Sequence, residues 1–133
     1  MASEIPSLLC QSFQAGLYLE FGNVQIGSTN TKLFKLQNPF TNRSVVVSID
    51  KVPDKKGFCV TLGDDHNQSI EIEPNGYSFA HVLWCPSKDM AIRETAHLKV
   101  DNKPILQIIL HGTAGIGNNK VRSIPLLNLM MSI

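Results

Sequence analysis

Residues 75–86 read NGYSFAHVLWCP, a turn dipeptide followed by a long apolar run that a proline ends. Side chains of a β-strand alternate between the two faces of its sheet, so the run divides into two rows. One row is Ser78, Ala80, Val82 and Trp84, and the other is Tyr77, Phe79, His81 and Leu83. Both rows are largely apolar, which is typical of a strand inside a sheet with cover on both faces. The only tryptophan of the chain places the predicted core under the first row.

Outward from this strand, the chain consists of short β-rich runs separated by Gly, Asn and Pro, a pattern typical of a sandwich. The predicted strands are residues 17–26, 32–38, 45–52, 58–62, 69–72, 77–84, 94–100 and 105–111. The first is broken at Gly22 and Asn23, where we expect an edge strand to cross between sheets. The last two are predicted to form a hairpin. No long run has apolar residues at helical spacing, so we predict an all-β fold with seven principal strands and one or two fragments.

Two segments flank the predicted body of residues 17–114. Residues 1–16 are predicted to be an N-terminal arm, and residues 115–133 a linker and an apolar tail, with a flexible exit over residues 112–119. The apolar tail residues are Ile124, Leu126, Leu127, Leu129, Met130, Met131 and Ile133. An apolar patch of this size favours association in water. We therefore expect the tail to dock on its own sheet, on a partner, or on a second copy as a tail-mediated dimer.

Bulk composition excludes several classes of protein. The 133 residues carry a formal net charge of +1, which provides no field able to hold nucleic acid or anionic lipid. The tight basic group at Lys51, Lys55 and Lys56 is interleaved with acidic residues, which favours a solvated loop over a nucleic-acid or tubulin contact. The first residues lack the basic and apolar regions of a signal peptide, and no apolar run has membrane length, so we expect neither a signal peptide nor a membrane span. A cytoplasmic protein that binds no nucleic acid and does not insert into membranes is expected.

No set of residues has the spacing of a catalytic or metal site, so we predict no enzyme activity, no cofactor and no metal. The cysteines are Cys10, Cys59 and Cys85. Their odd number and long spacing predict reduced, mostly buried thiols. The histidines are His66, His81, His97 and His111, one per loop or strand, although a folded sandwich could still bring two together. The remaining unusual feature is the apolar second row, and we predict Tyr77, Phe79, His81 and Leu83 as a partner surface unless the tail covers them.

Several short motifs of the chain together resemble those of a known domain. They are LEFGNV at residues 19–24, Gly27, LQNP at 36–39, GFCV at 57–60, WCP at 84–86 and a last strand ending in Gly112. In this order they resemble the ASH domain (abnormal spindle, SPD-2, Hydin), a relative of the major sperm protein domain, over residues 17–114. The resemblance implies an immunoglobulin-like, seven-stranded β-sandwich without a disulfide. It supplies no catalytic residues, and it implies structural roles for Phe21, Gly22, Asn38, Pro39, Trp84 and Pro86.

The resemblance also implies a function. ASH domains occur in proteins of centrosomes, spindle poles, cilia and axonemes, so the chain is expected to be a non-catalytic interaction or targeting module of a cytoskeletal scaffold protein. Its partners would be proteins of those structures, with microtubules contacted through the rest of a parent protein. The alternative is a major-sperm-like domain that binds a short linear peptide motif at a membrane contact. That alternative needs a basic groove, which Lys51, Lys55 and Lys56 provide only weakly.

Overall fold

The structure, a computed structural model, describes residues 5–11 and 16–115, which contain nine strands and no helix. The strands are β1 (Ser7–Leu9), β2 (Leu17–Gln25), β3 (Asn30–Gln37), β4 (Val45–Lys51), β5 (Phe58–Leu62), β6 (Ser69–Ile72), β7 (Tyr77–Trp84), β8 (Met90–Val100) and β9 (Lys103–Gly115). The all-β prediction is confirmed. The strand that the prediction lacks is β1, which lies within the predicted N-terminal arm.

The strands form two sheets. A four-stranded sheet has the order β1-β3-β7-β5, and a five-stranded sheet has the order β2-β9-β8-β4-β6. β7 pairs antiparallel with β3 on one side and with β5 on the other, which confirms that the tryptophan strand lies inside its sheet. The predicted hairpin of β8 and β9 is also confirmed, and both strands are longer than predicted. The period-2 pattern of residues 77–84 therefore identified the strand around which the smaller sheet is built.

The chain changes sheets between β1 and β2. β1 runs parallel to β3 with Leu8 opposite Leu36, whereas β2 runs parallel to β9 in the other sheet. Our expectation of a crossing at Gly22 and Asn23 is wrong, because β2 pairs with β9 on both sides of that point. Gly22 has a φ of +76° and lies in a register shift of the β2–β9 ladder. A bulge at glycine absorbs extra residues while the strand stays beside its partner.

The core lies between the inner faces of the two sheets, and Trp84 fills it towards one end of the sandwich. Trp84 is fully buried, and the ring of Phe58 stacks on its indole at a centroid distance of 5.4 Å. The ring of Phe21 from β2 meets the indole edge-on at 5.6 Å. The indole Nε1–H donates a hydrogen bond to the Lys56 carbonyl oxygen over 2.9 Å, so the polar atom of this side chain is satisfied inside the protein.

Gly112 lies against this aromatic cluster. A Cβ atom at this position would be 2.8 Å from Cζ3 of Trp84 and 3.1 Å from Cβ of Phe21, so the close packing of β9 on the indole requires glycine. Our prediction of a flexible exit from residue 112 is wrong for residues 112–115, which continue β9 as part of the sheet. Glycine was interpreted there as a linker residue, although its role is to allow a close approach of the backbone.

Asn38, a buried polar residue, joins two connections at one end of the sandwich, from β3 to β4 and from β6 to β7. It is 2% exposed, and the carbonyl oxygens of Arg43 (2.9 Å), Ile72 (3.1 Å) and Glu73 (3.0 Å) accept hydrogen bonds from Nδ2, two of them sharing one N–H. Its Oδ1 accepts a hydrogen bond from the Phe40 N–H over 3.0 Å. One amide thus satisfies backbone groups after β3, before β4 and at the end of β6.

The three cysteines are free thiols in different surroundings. Cys10 is buried, and burial, followed by the negative charge of Asp101, raises the pKa of its thiol to about 12. Cys59 and Cys85 are exposed, so our prediction of mostly buried thiols is wrong for these two residues. Cys59 projects outward because it lies opposite Leu83 of the β7 outer face, and Cys85 lies just after the end of β7.

Native alkylation is expected to distinguish these thiols. At about pH 8, iodoacetamide should modify Cys59 and Cys85, whereas Cys10 should react only after unfolding because it is both protonated and inaccessible. Intact mass should therefore show two additions to native protein and three to unfolded, unreduced protein. A single addition to the unfolded, unreduced protein would mean that Cys59 and Cys85 are bridged, and three additions to the native protein would mean that Cys10 is accessible.

No helix in the described residues is long and apolar enough to cross a membrane. The predicted docking of residues 124–133 lies outside the described residues.

Candidate partner-binding face

The outer faces of the two sheets differ in chemistry. The face of the five-stranded sheet is mostly polar across β2, β8 and β9, with the side chains of Glu20, Arg93, Thr95, His97, Lys99, Gln107, His111 and Thr113 beside the apolar Tyr18 and Ile109. The face of the four-stranded sheet has a larger share of apolar and aromatic side chains, from Leu33, Cys59, Tyr77, Phe79, His81 and Leu83, beside the polar Thr31, Lys35, Gln37 and Thr61. The second face is therefore the candidate interaction surface.

Polar groups on the five-stranded sheet satisfy one another. The Glu20 carboxylate accepts a hydrogen bond from the Gly22 N–H over 2.8 Å and lies 2.6 Å from His111 Nδ1. The backbone hydrogen bond, and then the contact with His111, lower the pKa of Glu20 below its ordinary value. The ring of Tyr18 stacks on His111 at 5.8 Å. Glu20 and His111 on this face are therefore already partnered within the chain.

β7 brings the four predicted partner residues, which we call the β7 outer row, onto one face. Tyr77 is 59% exposed, and Phe79, His81 and Leu83 are half-buried. In the registers of β3 and β5, Leu33 and Thr61 lie on either side of His81. Sequence reasoning missed Leu33 and Thr61 as members of this surface. The alternation of residues 32–38 did place Leu33 on an outer face, but only strand pairing shows which row it joins.

Lys35 is the one charged side chain among the strand residues described on this face. It lies opposite Phe79 in the register, and its Nζ is 4.7 Å from the centroid of the Tyr77 ring. The Tyr77 ring in turn meets Phe79 edge-on at 5.6 Å. Cation–π contact and edge-to-face packing hold the Tyr77 ring in place while more than half of it stays exposed. A fixed, exposed aromatic ring loses little side-chain entropy when a partner binds.

His81 lies near the middle of the row and has the one orphaned polar atom found among the described residues. Its Nε2 is inaccessible to solvent and has no hydrogen-bond partner. The ring of His66, from the turn between β5 and β6, packs on it with a centroid distance of 4.8 Å and an interplanar angle of 50°. His66 Nδ1 is 2.9 Å from Thr61 Oγ1. Folding thus brings together two histidines that are fifteen positions apart in the chain.

The residues with predicted structural roles lie elsewhere. Phe21, Asn38, Trp84 and Pro86 are buried, Pro39 is half-buried behind Asn38, and Gly22 lies in the β2 bulge. The Pro86 carbonyl oxygen accepts a hydrogen bond from the Gly27 N–H over 2.8 Å. Lys51 ends β4, and Lys55 and Lys56 lie in the turn before β5. The structure therefore separates the motif positions from the β7 outer row.

A cavity of about 180 Å³ opens at the other end of the sandwich from Trp84, close to Asn38. It is lined by Cys10, Gln11, Phe40, Arg43, Val100, Asp101, Lys103 and Ile105. Asp101 accepts hydrogen bonds from the Val46 N–H (3.0 Å) and Arg43 (2.8 Å), which lower its pKa, and the Arg43 guanidinium lies 3.9 Å over the Phe40 ring. The central ion pair of this cavity is satisfied within the chain.

No group of three or more metal-ligating side chains occurs in the described segments.

The two sheets define an immunoglobulin-like sandwich, the class of fold to which PapD-like domains belong. The sequence profile of ASH, "Abnormal spindle-like microcephaly-assoc'd, ASPM-SPD-2-Hydin", matches residues 6–107, so the chain belongs to the ASH family. The match begins just before β1, in keeping with the place of that strand in the sheet. The membership predicted from the short motifs is confirmed.

Several solved structures are similar in fold, and two of them are compared with this chain. The ASH/PapD-like domain 7 of human CEP192 is 14% identical, with a TM-score of 0.57, over 75% of this chain and 82% of that chain. The CupB6 tip adhesin from Pseudomonas aeruginosa is 10% identical, with a TM-score of 0.57, over 83% of this chain and 42% of that chain. No curated protein matches the sequence. At these identities the likeness concerns the fold alone.

Proposed function

We propose that this chain is a non-catalytic protein-interaction module of a centrosomal or spindle-pole scaffold, and that the β7 outer row is its partner surface. The observation that supports the proposal most directly is the outer face of the four-stranded sheet, where Tyr77 is exposed and Phe79, His81 and Leu83 are half-buried with no other described element packed over them. Membership of the ASH family supports the interaction role.

The chemistry of the face suits a protein partner. Tyrosine and other large aromatic residues dominate interface energetics when a partner closes over them. Tyr77 and Phe79 supply such rings, Leu33 and Leu83 extend the apolar area, and Lys35 supplies one charge at its margin. A partner with an apolar centre and an acidic group opposite Lys35 would complement this arrangement.

The proposed place of action in the cell is the spindle pole or centrosome. The family is named after abnormal spindle proteins, and the similar CEP192 domain is described as an ASH/PapD-like domain. We infer that the chain acts in the cytoplasm as part of an abnormal-spindle-like protein, where it anchors a partner at the spindle pole or centrosome. Contact with microtubules would then belong to the rest of the parent protein.

A pair of matched variants tests the proposal. Tyr77→Ser combined with Phe79→Ser removes the rings of the β7 outer row, and Tyr18→Ser removes a tyrosine that is 48% exposed on the opposite sheet. Proteins captured from mitotic extract by the wild-type chain should be lost from the first variant and kept by the second, and centrosomal localisation of tagged chains should follow the same order. Thermal melts first confirm that all three chains are folded.

Two results would overturn the proposal. One is retention of the same partners by the double variant, and the other is their loss from Tyr18→Ser. A chain lacking residues 124–133 adds a further comparison, because a tail that occupied this face would compete with the partner. In that case the deletion should increase capture by the wild-type face and leave the double variant unchanged.

A further inference from the structure

The contact between His66 and His81 includes one feature that packing alone does not explain. The two imidazole centroids are 4.8 Å apart, and Nε2 of His81 is buried without a hydrogen-bond partner. His66 lies in a turn with a φ of +54°, a region in which histidine is found more often than most non-glycine residues. An unsatisfied buried polar atom beside a second imidazole is a sign of a functional site.

The spacing of the rings suits two nitrogens bound to one ion. Zinc binds imidazole nitrogen at 2.0–2.1 Å with tetrahedral angles, which places the centroids of two such rings about 5 Å apart. The observed separation is close to this value. Since Nε2 of His81 is inaccessible in this arrangement, an ion reaches it only when a neighbouring side chain turns aside, and the exposed His66 ring that packs on His81 is the side chain to do so.

Thr61 orients the His66 ring, because Nδ1 of His66 lies 2.9 Å from Thr61 Oγ1. In the tautomer whose Nδ1–H donates to this hydroxyl, the lone pair of the ring is on Nε2 and is free to bind an ion. Metal-binding histidines generally have such an outer partner, which fixes both the tautomer and the orientation of the ring. Asp64 and Asp65, on the same turn, add negative charge that favours a cation.

We propose that His66 and His81 form a binding site for a transition-metal ion, with zinc as the ion that it takes. Two imidazoles favour zinc, copper or nickel over magnesium or calcium, which prefer oxygen ligands. Since the described residues offer no third metal-binding side chain at this place, water completes the coordination in the isolated chain. Metal binding is measured without a protein partner, so its test does not depend on the proposed partner-binding function.

Titration of the full chain with zinc chloride, followed by calorimetry, tests the site. One equivalent should bind, and magnesium chloride should give no signal. His66→Ala should abolish this binding event, and Thr61→Val, which removes the orienting hydroxyl and keeps a β-branched side chain, should weaken it about 10-fold or more. The imidazole NMR signals of His66 and His81 should broaden selectively when nickel replaces zinc.

Matched variants exclude the other zinc-binding groups of the chain. Binding should be unchanged in His97→Ala, in His111→Ala, which removes the imidazole beside Glu20, and in the double variant Cys59→Ser with Cys85→Ser. The proposal is overturned if zinc fails to bind, if His66→Ala binds zinc as the wild type does, or if the cysteine variant loses the binding event. Because His66 is exposed and lies in a turn, its replacement should leave the thermal melt close to that of the wild type.

Discussion

Replacing Trp84 with alanine is expected to lower the free energy of unfolding by about 3–5 kcal/mol, a large part of the roughly 5–15 kcal/mol that stabilises a domain. The indole is fully buried between Phe21 and Phe58, so truncation leaves a cavity that three strands line. The Lys56 carbonyl oxygen also loses its donor. Urea denaturation of the wild type and the variant measures the difference.

Trp84→Phe is the control for this experiment. It keeps an aromatic ring between Phe21 and Phe58 but removes the indole N–H, so the loss should be smaller than that of the alanine variant. An alanine variant whose midpoint equals that of the wild type would contradict the buried position, and Trp84 would then have to be considered as a partner-binding residue.

Replacing Asn38 with alanine is expected to cost about 3 kcal/mol, because the carbonyl oxygens of Arg43, Ile72 and Glu73 lose a shared donor. The Phe40 N–H loses its acceptor in the same variant. Most of these backbone groups cannot form hydrogen bonds with water unless the connections that Asn38 joins move. Thermal and urea unfolding measure the loss.

Asn30→Ala is the matched control, because the Asn30 side chain also donates to backbone and hydroxyl oxygens. Its Nδ2 lies 2.9 Å from Ser28 Oγ and 3.1 Å from the Trp84 carbonyl oxygen, but the residue is only half-buried at the start of β3. Water can replace these bonds, so the expected loss is at most about 1 kcal/mol. Equal losses of unfolding free energy in the two variants would contradict the larger contribution expected of the Asn38 hydrogen bonds.

The Trp84 variants and the partner-surface variants act on opposite faces of one strand. Trp84 belongs to the inner row of β7, and Tyr77 and Phe79 belong to the outer row. A change in the inner row should therefore lower stability and reduce binding only through unfolding. A change in the outer row should reduce binding while the unfolding midpoint stays near that of the wild type.

Local sequence patterns were sufficient to predict most of the strands, the turns between them and the family. Alternation over residues 77–84 identified the interior strand, turn residues separated the other strands, and the order of short motifs identified the family. The alternation also placed Tyr77, Phe79, His81 and Leu83 on one row before any partner strand was known. These inferences succeed because side-chain direction along a strand has a period of two wherever the strand lies.

The pairing of the strands, and the side chains that neighbour each row, depend on the tertiary structure. β1 joins the smaller sheet although its three residues carry little local signal, and β2 stays with β9 through the bulge at Gly22. Tertiary structure likewise places Gly112 under the indole, Lys35 over Tyr77 and His66 on His81. Each of these contacts joins residues from different strands or turns, and their proximity depends on register. Register is set by the packing of the whole sandwich, so the pattern within any one strand does not contain it.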